Sequence, residues 1–187
     1  MLGQKTGSQN PISALRLGAP IPADYYKMLF YAQNFGYKCF TKLQETVFCN
    51  PKAYQKDCDL FICGKTSSGK TLIPILLYKR KLEIAKACGL VIPIPKMLFV
   101  IPYRALAAQK IREFCTLFQE ENLTIVQSTG EFQQDDIAIQ KGEVDIAVII
   151  TEKIFKYSSR DDTFLTKYDF LVLDEAGLID NSSRGIR

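Results

Sequence analysis

Asp59-Leu60-Phe61-Ile62-Cys63-Gly64-Lys65-Thr66-Ser67-Ser68-Gly69-Lys70-Thr71 decides the fold of this 187-residue chain. A short apolar run enters a loop of the form G-x-x-x-x-G-K-[ST] with nothing inserted, and the loop opens a helix-suited stretch from Lys70 to Ala87. Glycine at the loop ends lets the backbone wrap a phosphate and turn its N–H groups inward. The start of a helix adds partial positive charge. Lys70 suits the β- and γ-phosphates of a nucleoside triphosphate, and the Thr71 hydroxyl suits Mg²⁺. The expected phosphate site is Gly64, Lys65, Thr66, Ser67, Ser68, Gly69, Lys70 and Thr71.

Working outward, four more apolar runs of strand length follow: Met97–Ile101, Leu123–Val126, Asp145–Ile150 and Tyr168–Leu173. With Asp59–Cys63 they make five, apolar on both faces, as strands of a buried parallel sheet are. Arg104–Phe118 suits a helix whose inward stripe is Leu106, Ile111, Phe114, Cys115 and Phe118. Asp24–Phe35 and Lys42–Tyr54 read as two further helices ahead of the alternation. Strand–helix–strand order of this kind predicts an α/β domain, a mostly parallel sheet flanked by helices. The last run ends in Asp174-Glu175. An apolar strand closing in two carboxylates, about a hundred residues after a phosphate loop, is the Walker B arrangement: Asp174 to hold Mg²⁺, Glu175 to polarise the water that attacks the γ-phosphate.

Composition narrows the chemistry. The chain has 47% hydrophobic and 24% charged residues, ordinary for a folded core, and a net charge of +4. That charge is uneven: residues 1–96 balance at +9 and residues 97–187 at −5. A basic first half is compatible with an anionic partner, or with a solvated lysine face. There is no histidine, which excludes Ser–His and Cys–His nucleophile pairs and most zinc sites. Six cysteines with no C-x-x-C spacing read as reduced and partly buried thiols of a cytosolic protein. No apolar run approaches the ~18 residues of a membrane span. The longest candidate, Gly89–Pro102, is broken by Lys96 and three prolines. Residues 1–20 read as a leader or linker, and 21–187 as one domain.

Taken in order, the motifs resemble those of the first RecA-like domain of a superfamily-two helicase, of the superkiller-type branch of the DExH-box enzymes. Gly36-Tyr37-Lys38-Cys39-Phe40-Thr41-Lys42-Leu43-Gln44 resembles the family's adenine-recognition segment, with Gln44 at the adenine-reading position and Phe35 or Tyr37 as the stacking ring. Ile101-Pro102-Tyr103-Arg104-Ala105-Leu106-Ala107-Ala108-Gln109 resembles the motif that touches the nucleic-acid backbone, through Arg104. Ser128-Thr129-Gly130 resembles the Thr-Gly pair that also holds phosphate. Ile150-Thr151-Glu152-Lys153 resembles the family's Thr-x-Glu-Lys, with Ile150 in place of the threonine and Lys153 matching. After Asp174-Glu175, the run to Arg184-Gly185 has the family's Leu-rich turn and Arg-Gly. Gly177 stands where the family usually has a histidine linking hydrolysis to the nucleic-acid site.

The resemblance implies a P-loop RecA-like fold, ATP and Mg²⁺ as ligands, and single-stranded RNA or DNA held by its backbone at Arg104, Thr129, Gly130 and Lys153. Lys70 and Glu175 are the expected catalytic residues, Thr71 and Asp174 the metal ligands. It also implies that a further C-terminal strand completes the sheet, and that a second RecA-like domain or another chain bearing arginines completes the ATP site. The expected setting is intracellular, cytoplasmic or nuclear, away from membranes. The rival reading is a non-hydrolysing, degenerate helicase-like binding or assembly module, favoured by Gly177 and Ile150. A phosphate-loop kinase or GTPase leaves the Gln44 segment and Arg184-Gly185 unexplained, and no Asn-Lys-x-Asp sequence is present.

Overall fold

In the computed structural model of the chain, the described residues are 22–55, 58–65 and 67–175. Thr66, Gly177 and Arg184-Gly185 lie outside them, as does the expected leader. The chain divides into two compact units, and the division falls after Arg80, within one helix.

The first unit is helical among its described residues. Helix α1 (Ala23–Asn34) buries Tyr25, Met28, Tyr31 and Ala32 along one face. It ends at Gly36, whose φ of +87° allows Tyr37 N–H to reach back to the Ala32 carbonyl. Helix α2 spans Lys42–Phe48 and α3 spans Leu72–Ala87. The core gathers Tyr25, Phe40, Phe48, Leu72, Ile73 and Leu76. Phe40 packs on Phe48 with ring centroids 4.8 Å apart. Asp24 accepts two hydrogen bonds from Arg80, at 2.7 and 3.0 Å, a two-pronged pairing. The expected single helix over Lys42–Tyr54 is in fact two pieces. Asn50 precedes Pro51, which disfavours helical backbone there, and Asn50 is extended at φ −91°, ψ 115°. Asn50 then caps a short 3₁₀ turn, Pro51–Tyr54, by accepting from Lys52 N–H.

The second unit holds a four-stranded parallel sheet of β1 (Met97–Ile101), β2 (Ile125–Ser128), β3 (Ile146–Ile150) and β4 (Phe170–Leu173), in the order β2-β3-β1-β4. Phe99 pairs with Val148 on one side and Val172 on the other. The two central strands, β1 and β3, are buried throughout, and the two outer strands only in part. Helix α4 (Arg104–Leu117) connects β1 to β2 and sets Phe114 edge-on against Phe99 at 5.2 Å. Leu98, Val100, Ala147 and Ile149 point to the opposite face. There they pack with Ile139 of α5 (Asp136–Lys141) and Tyr157 of α6 (Thr151–Ser158).

Three expectations need correction. Asp59–Cys63 forms no strand, and Phe61 is 88% exposed. No strand is described elsewhere in its unit to pair with it, and a lone strand leaves its backbone groups to water. On α4, Cys115 faces solvent, and Ala107 takes a buried position that the apolar stripe did not include. All six cysteines are free, four of them exposed rather than partly buried.

Candidate functional site

In the first unit the phosphate loop is tied to the start of α2. Thr41 and Gln44 form a capping box: Gln44 N–H donates to Thr41 Oγ1, and Thr41 N–H donates to Gln44 Oε1 at 2.9 Å. Both side chains then reach the loop. Gln44 Nε2 donates to the Gly69 carbonyl at 2.9 Å, and Thr41 Oγ1 donates to the Ser68 carbonyl at 2.7 Å. Gln44 is therefore buried with its oxygen and one N–H engaged, leaving one N–H for another acceptor. The pattern Thr41-x-x-Gln44 is legible in sequence as a helix-start signal. Sequence reading took Gln44 only as a base reader. Of the two stacking candidates, Tyr37 is exposed and Phe35 packs on the unit's core.

The loop itself depends on its glycines. Gly69 has φ +80°, and a Cβ there would sit 2.3 Å from Gln44 Nε2. A Cβ at Gly64 would meet Ser68 Oγ at 2.7 Å and Leu43 Cδ2 at 2.9 Å. Ser67 also takes a left-handed φ of +64°, which non-glycine residues adopt only where their surroundings fix it. Lys70 Nζ donates to the carbonyls of Gly64 (2.9 Å) and Lys65 (3.1 Å), so the ammonium lies across the loop. Ser68 Oγ is buried without a hydrogen-bond partner among the described residues. A cationic loop with an unpartnered hydroxyl and a cradle that side chains would fill fits a phosphate group.

In the second unit, parallel pairing brings the segments after all four strands to one edge of the sheet. Arg104 starts α4 and Thr129-Gly130 follows β2. These two motifs meet: a Cβ on Gly130 would lie 2.8 Å from Arg104 Cζ, so glycine is what admits the guanidinium. Arg104 makes no ion pair among the described residues and is exposed. Thr129 is buried, and its hydroxyl accepts from the N–H groups of Glu131 and Phe132, shaping the turn.

Lys153 is placed differently from Arg104. It is 6% exposed, and its ammonium donates to Asp136 Oδ2 at 2.5 Å. Ser128 Oγ donates to the other oxygen of Asp136 at 2.6 Å, so Tyr157 OH, 2.9 Å from Ser128, donates in turn to Ser128. Burial pushes the Asp136 carboxyl up, but the hydrogen bonds from Lys153 and Ser128 outweigh it and hold it below its ordinary value. Burial also raises the Tyr157 hydroxyl, keeping it protonated. Sequence reading missed Asp136, seventeen residues upstream on another helix, because nothing in its spacing marks it as the partner of Lys153.

At the end of β4, Asp174 N–H donates to the Val100 carbonyl, and Asp174 Oδ1 accepts from Glu175 N–H at 3.1 Å. Glu175 is exposed and has φ +56°, an uncommon conformation for glutamate. Among the described residues no cluster of three His, Cys, Asp or Glu gathers. Mg²⁺ is commonly held by one or two carboxylates with substrate phosphates, and the Thr71 hydroxyl and the Asp174 carboxylate are each hard oxygens of the kind it takes. Thr71 belongs to the first unit and Asp174 to the second.

Compared with known proteins, residues 41–186 match the DEAD/DEAH box helicase family. The chain belongs to that family. Among its helicase relatives, the ATP-dependent DNA helicase Hel308 of Pyrococcus abyssi is 31% identical over 127 residues, which is 68% of this chain and 16% of that protein. The probable ATP-dependent DNA helicase HFM1 of Mus musculus is 26% identical over 188 residues, 94% of this chain and 12% of its own length. The RQC trigger complex helicase SLH1 of Saccharomyces cerevisiae is 24% identical over 156 residues, 78% and 8%. The chain thus spans less than a fifth of the length of each of these three relatives. A solved structure, a hypothetical ATP-dependent RNA helicase from Sulfolobus tokodaii, superposes with a TM-score of 0.57 at 22% identity, covering 82% of this chain and 42% of that one. The fold is that of a RecA-like helicase domain. No helix among its described residues is long and apolar enough to cross a membrane.

Proposed function

We propose that the chain is the ATP-binding first motor domain of a nucleic-acid-dependent helicase of the superkiller-type branch, hydrolysing ATP to ADP and phosphate when a second RecA-like domain completes the site. The observation that carries this reading is the parallel sheet of the second unit, whose four strand ends bring Arg104, Thr129-Gly130, Lys153 and Asp174-Glu175 to one edge. Open α/β sheets bind ligands along that edge. The helicase names of the relatives support it, two carrying DNA and the solved structure RNA. They leave the nucleic acid of this chain as either.

On this reading Lys70 exchanges its two loop carbonyls for the β- and γ-phosphates, and the N–H groups of residues 64–70 cradle the same oxygens. Gln44 reads the adenine edge with its remaining N–H, and Tyr37 offers a face for stacking. Thr71 and Asp174 would hold Mg²⁺, which would neutralise charge on the phosphates. Glu175 accepts a proton from the attacking water. Arg104 binds a backbone phosphate of the single strand, helped by the Thr129-Gly130 turn. Lys153 joins them only by leaving Asp136. An arginine from outside this domain supplies the charge on the far side of the γ-phosphate.

The test is ATP titration of the wild-type chain and Lys70→Ala. Losing a charge-assisted contact of roughly 1.5–3 kcal/mol weakens binding about tenfold to hundredfold. Equal affinities would overturn the assignment, and preference for GTP would overturn the Gln44 part of it.

A further inference from the structure

Beside Arg104, the second unit carries a small pocket of about 240 Å³ between the start of α4 and the turn after β2. Ala105 and Ala108 give it an apolar wall, and Arg104, Gln127 and Phe132 complete the part that matters here. Three features of this pocket agree on a ligand. Gln127 Oε1 is buried with no hydrogen-bond partner among the described residues, an acceptor awaiting a donor. Phe132 is 43% exposed, an aromatic ring in an otherwise polar turn. Its backbone is fixed on both sides: Phe132 N–H donates to Thr129 Oγ1 at 3.2 Å, and Thr129 N–H donates to the Phe132 carbonyl at 2.9 Å. The Arg104 guanidinium, seated against Gly130, offers both a flat face and donors.

Size and charge exclude the alternatives within a nucleic-acid strand. Pockets for drug-sized ligands run about 300–1,000 Å³, so this one suits a single ring system rather than a whole nucleotide. Glu131 also lines it, and a carboxylate disfavours a phosphate as the occupant. The occupant is neutral, flat, and carries both a donor and an acceptor.

We propose that this pocket takes one unstacked nucleobase of the bound strand, stacked on Phe132, donating an edge N–H to Gln127 Oε1 and accepting from Arg104. The inference rests on the nucleic-acid reading above and adds a base contact to a track otherwise made of backbone contacts. Every common base has a π-face and an edge N–H, so the contact holds a base without reading sequence.

The experiment compares a mixed-sequence single strand with a strand of the same length in which every residue is abasic. Both are titrated against the wild-type chain, Phe132→Ala and Phe132→Tyr over a range of salt. The wild type and the tyrosine variant bind the normal strand roughly five- to hundredfold more tightly, the range of one base–aromatic stack. Phe132→Ala loses most of that preference while binding the abasic strand as the wild type does, with the same salt slope, which also shows that the variant folds. Equal binding of both strands by the wild type, or an equal loss on both strands in Phe132→Ala, overturns the pocket but leaves backbone binding intact. Binding of neither strand at low salt overturns the nucleic-acid reading and the pocket with it.

Discussion

Leu60–Cys63 and Met97–Ile101 are both short apolar runs that lead into a motif-bearing turn, and they meet opposite fates. Met97–Ile101 becomes β1, paired on both sides and buried throughout. Leu60–Cys63 stays irregular, with Phe61 in solvent. The difference is one of partners, since β1 has β3 and β4 beside it and no strand is described in residues 22–80. Apolar character makes a segment suitable for a sheet, and neighbours make it a strand.

Substitution at the two phenylalanines is the sharpest way to break that comparison. Phe99 is fully buried against Phe114. Phe99→Ala is expected to cost about 3–5 kcal/mol in urea unfolding, as large-to-small core changes do. Phe61→Ala should fall within about 0.5 kcal/mol of wild type. A loss at Phe61 as large as at Phe99 would mean that the run is paired and buried in solution.

The same contrast, partnered against unpartnered, separates the two basic side chains of the nucleic-acid motifs. Removing the Lys153 ammonium strands Asp136 in a buried site. Lys153→Met is expected to cost about 3 kcal/mol. Arg104→Met, at an exposed position without an ion pair among the described residues, should cost no more than about 0.5 kcal/mol. The pair also carries a pH signature. The Asp136 carboxyl lies below its ordinary value of 3.8 in the folded chain. A group depressed in this way contributes stability that is full above its unfolded value and is lost as pH falls through the folded one. The melting difference between wild type and Asp136→Asn should therefore be steady near neutrality and shrink as pH drops below about 4. A difference that grew on acidification would contradict the ion pair.

Much of the second unit was legible because burial leaves a mark in composition. Met97–Ile101 was bounded to the residue, Ile146–Ile150 within one, and the others within two, since uninterrupted apolar runs have few registers to choose from. Helices α3 and α4 were likewise placed within two residues. What stayed hidden were the short helices α5 and α6 and the pairing between side chains from separate elements. Asp136 and Lys153 meet because α5 and α6 lie on the same face of the sheet, and neither helix announces it. The seating of Arg104 on Gly130 is hidden for the same reason. Each residue was a candidate by its own motif, but their contact is a product of α4 crossing beside β2.

A smaller loss than at Phe99 or Lys153 is expected where a phosphate loop keeps its shape with no strand leading into it. In the first unit that task falls to side chains of α2, through Gln44 to the Gly69 carbonyl and Thr41 to the Ser68 carbonyl. Gln44→Ala removes the loop tie and half of the capping box, and is expected to cost about 1 kcal/mol, the usual size of a lost helix cap. Gln44→Glu separates the two roles: its carboxylate still accepts from Thr41 N–H but can no longer donate to Gly69. Measured by hydrogen exchange, Gln44→Glu should keep the start of α2 protected while the amides around Gly69 and Lys70 exchange faster. Gln44→Ala should loosen both. If the glutamate variant leaves the loop as protected as wild type, the loop is held by something other than the Gln44 amide, and the side-chain tie is incidental to its shape.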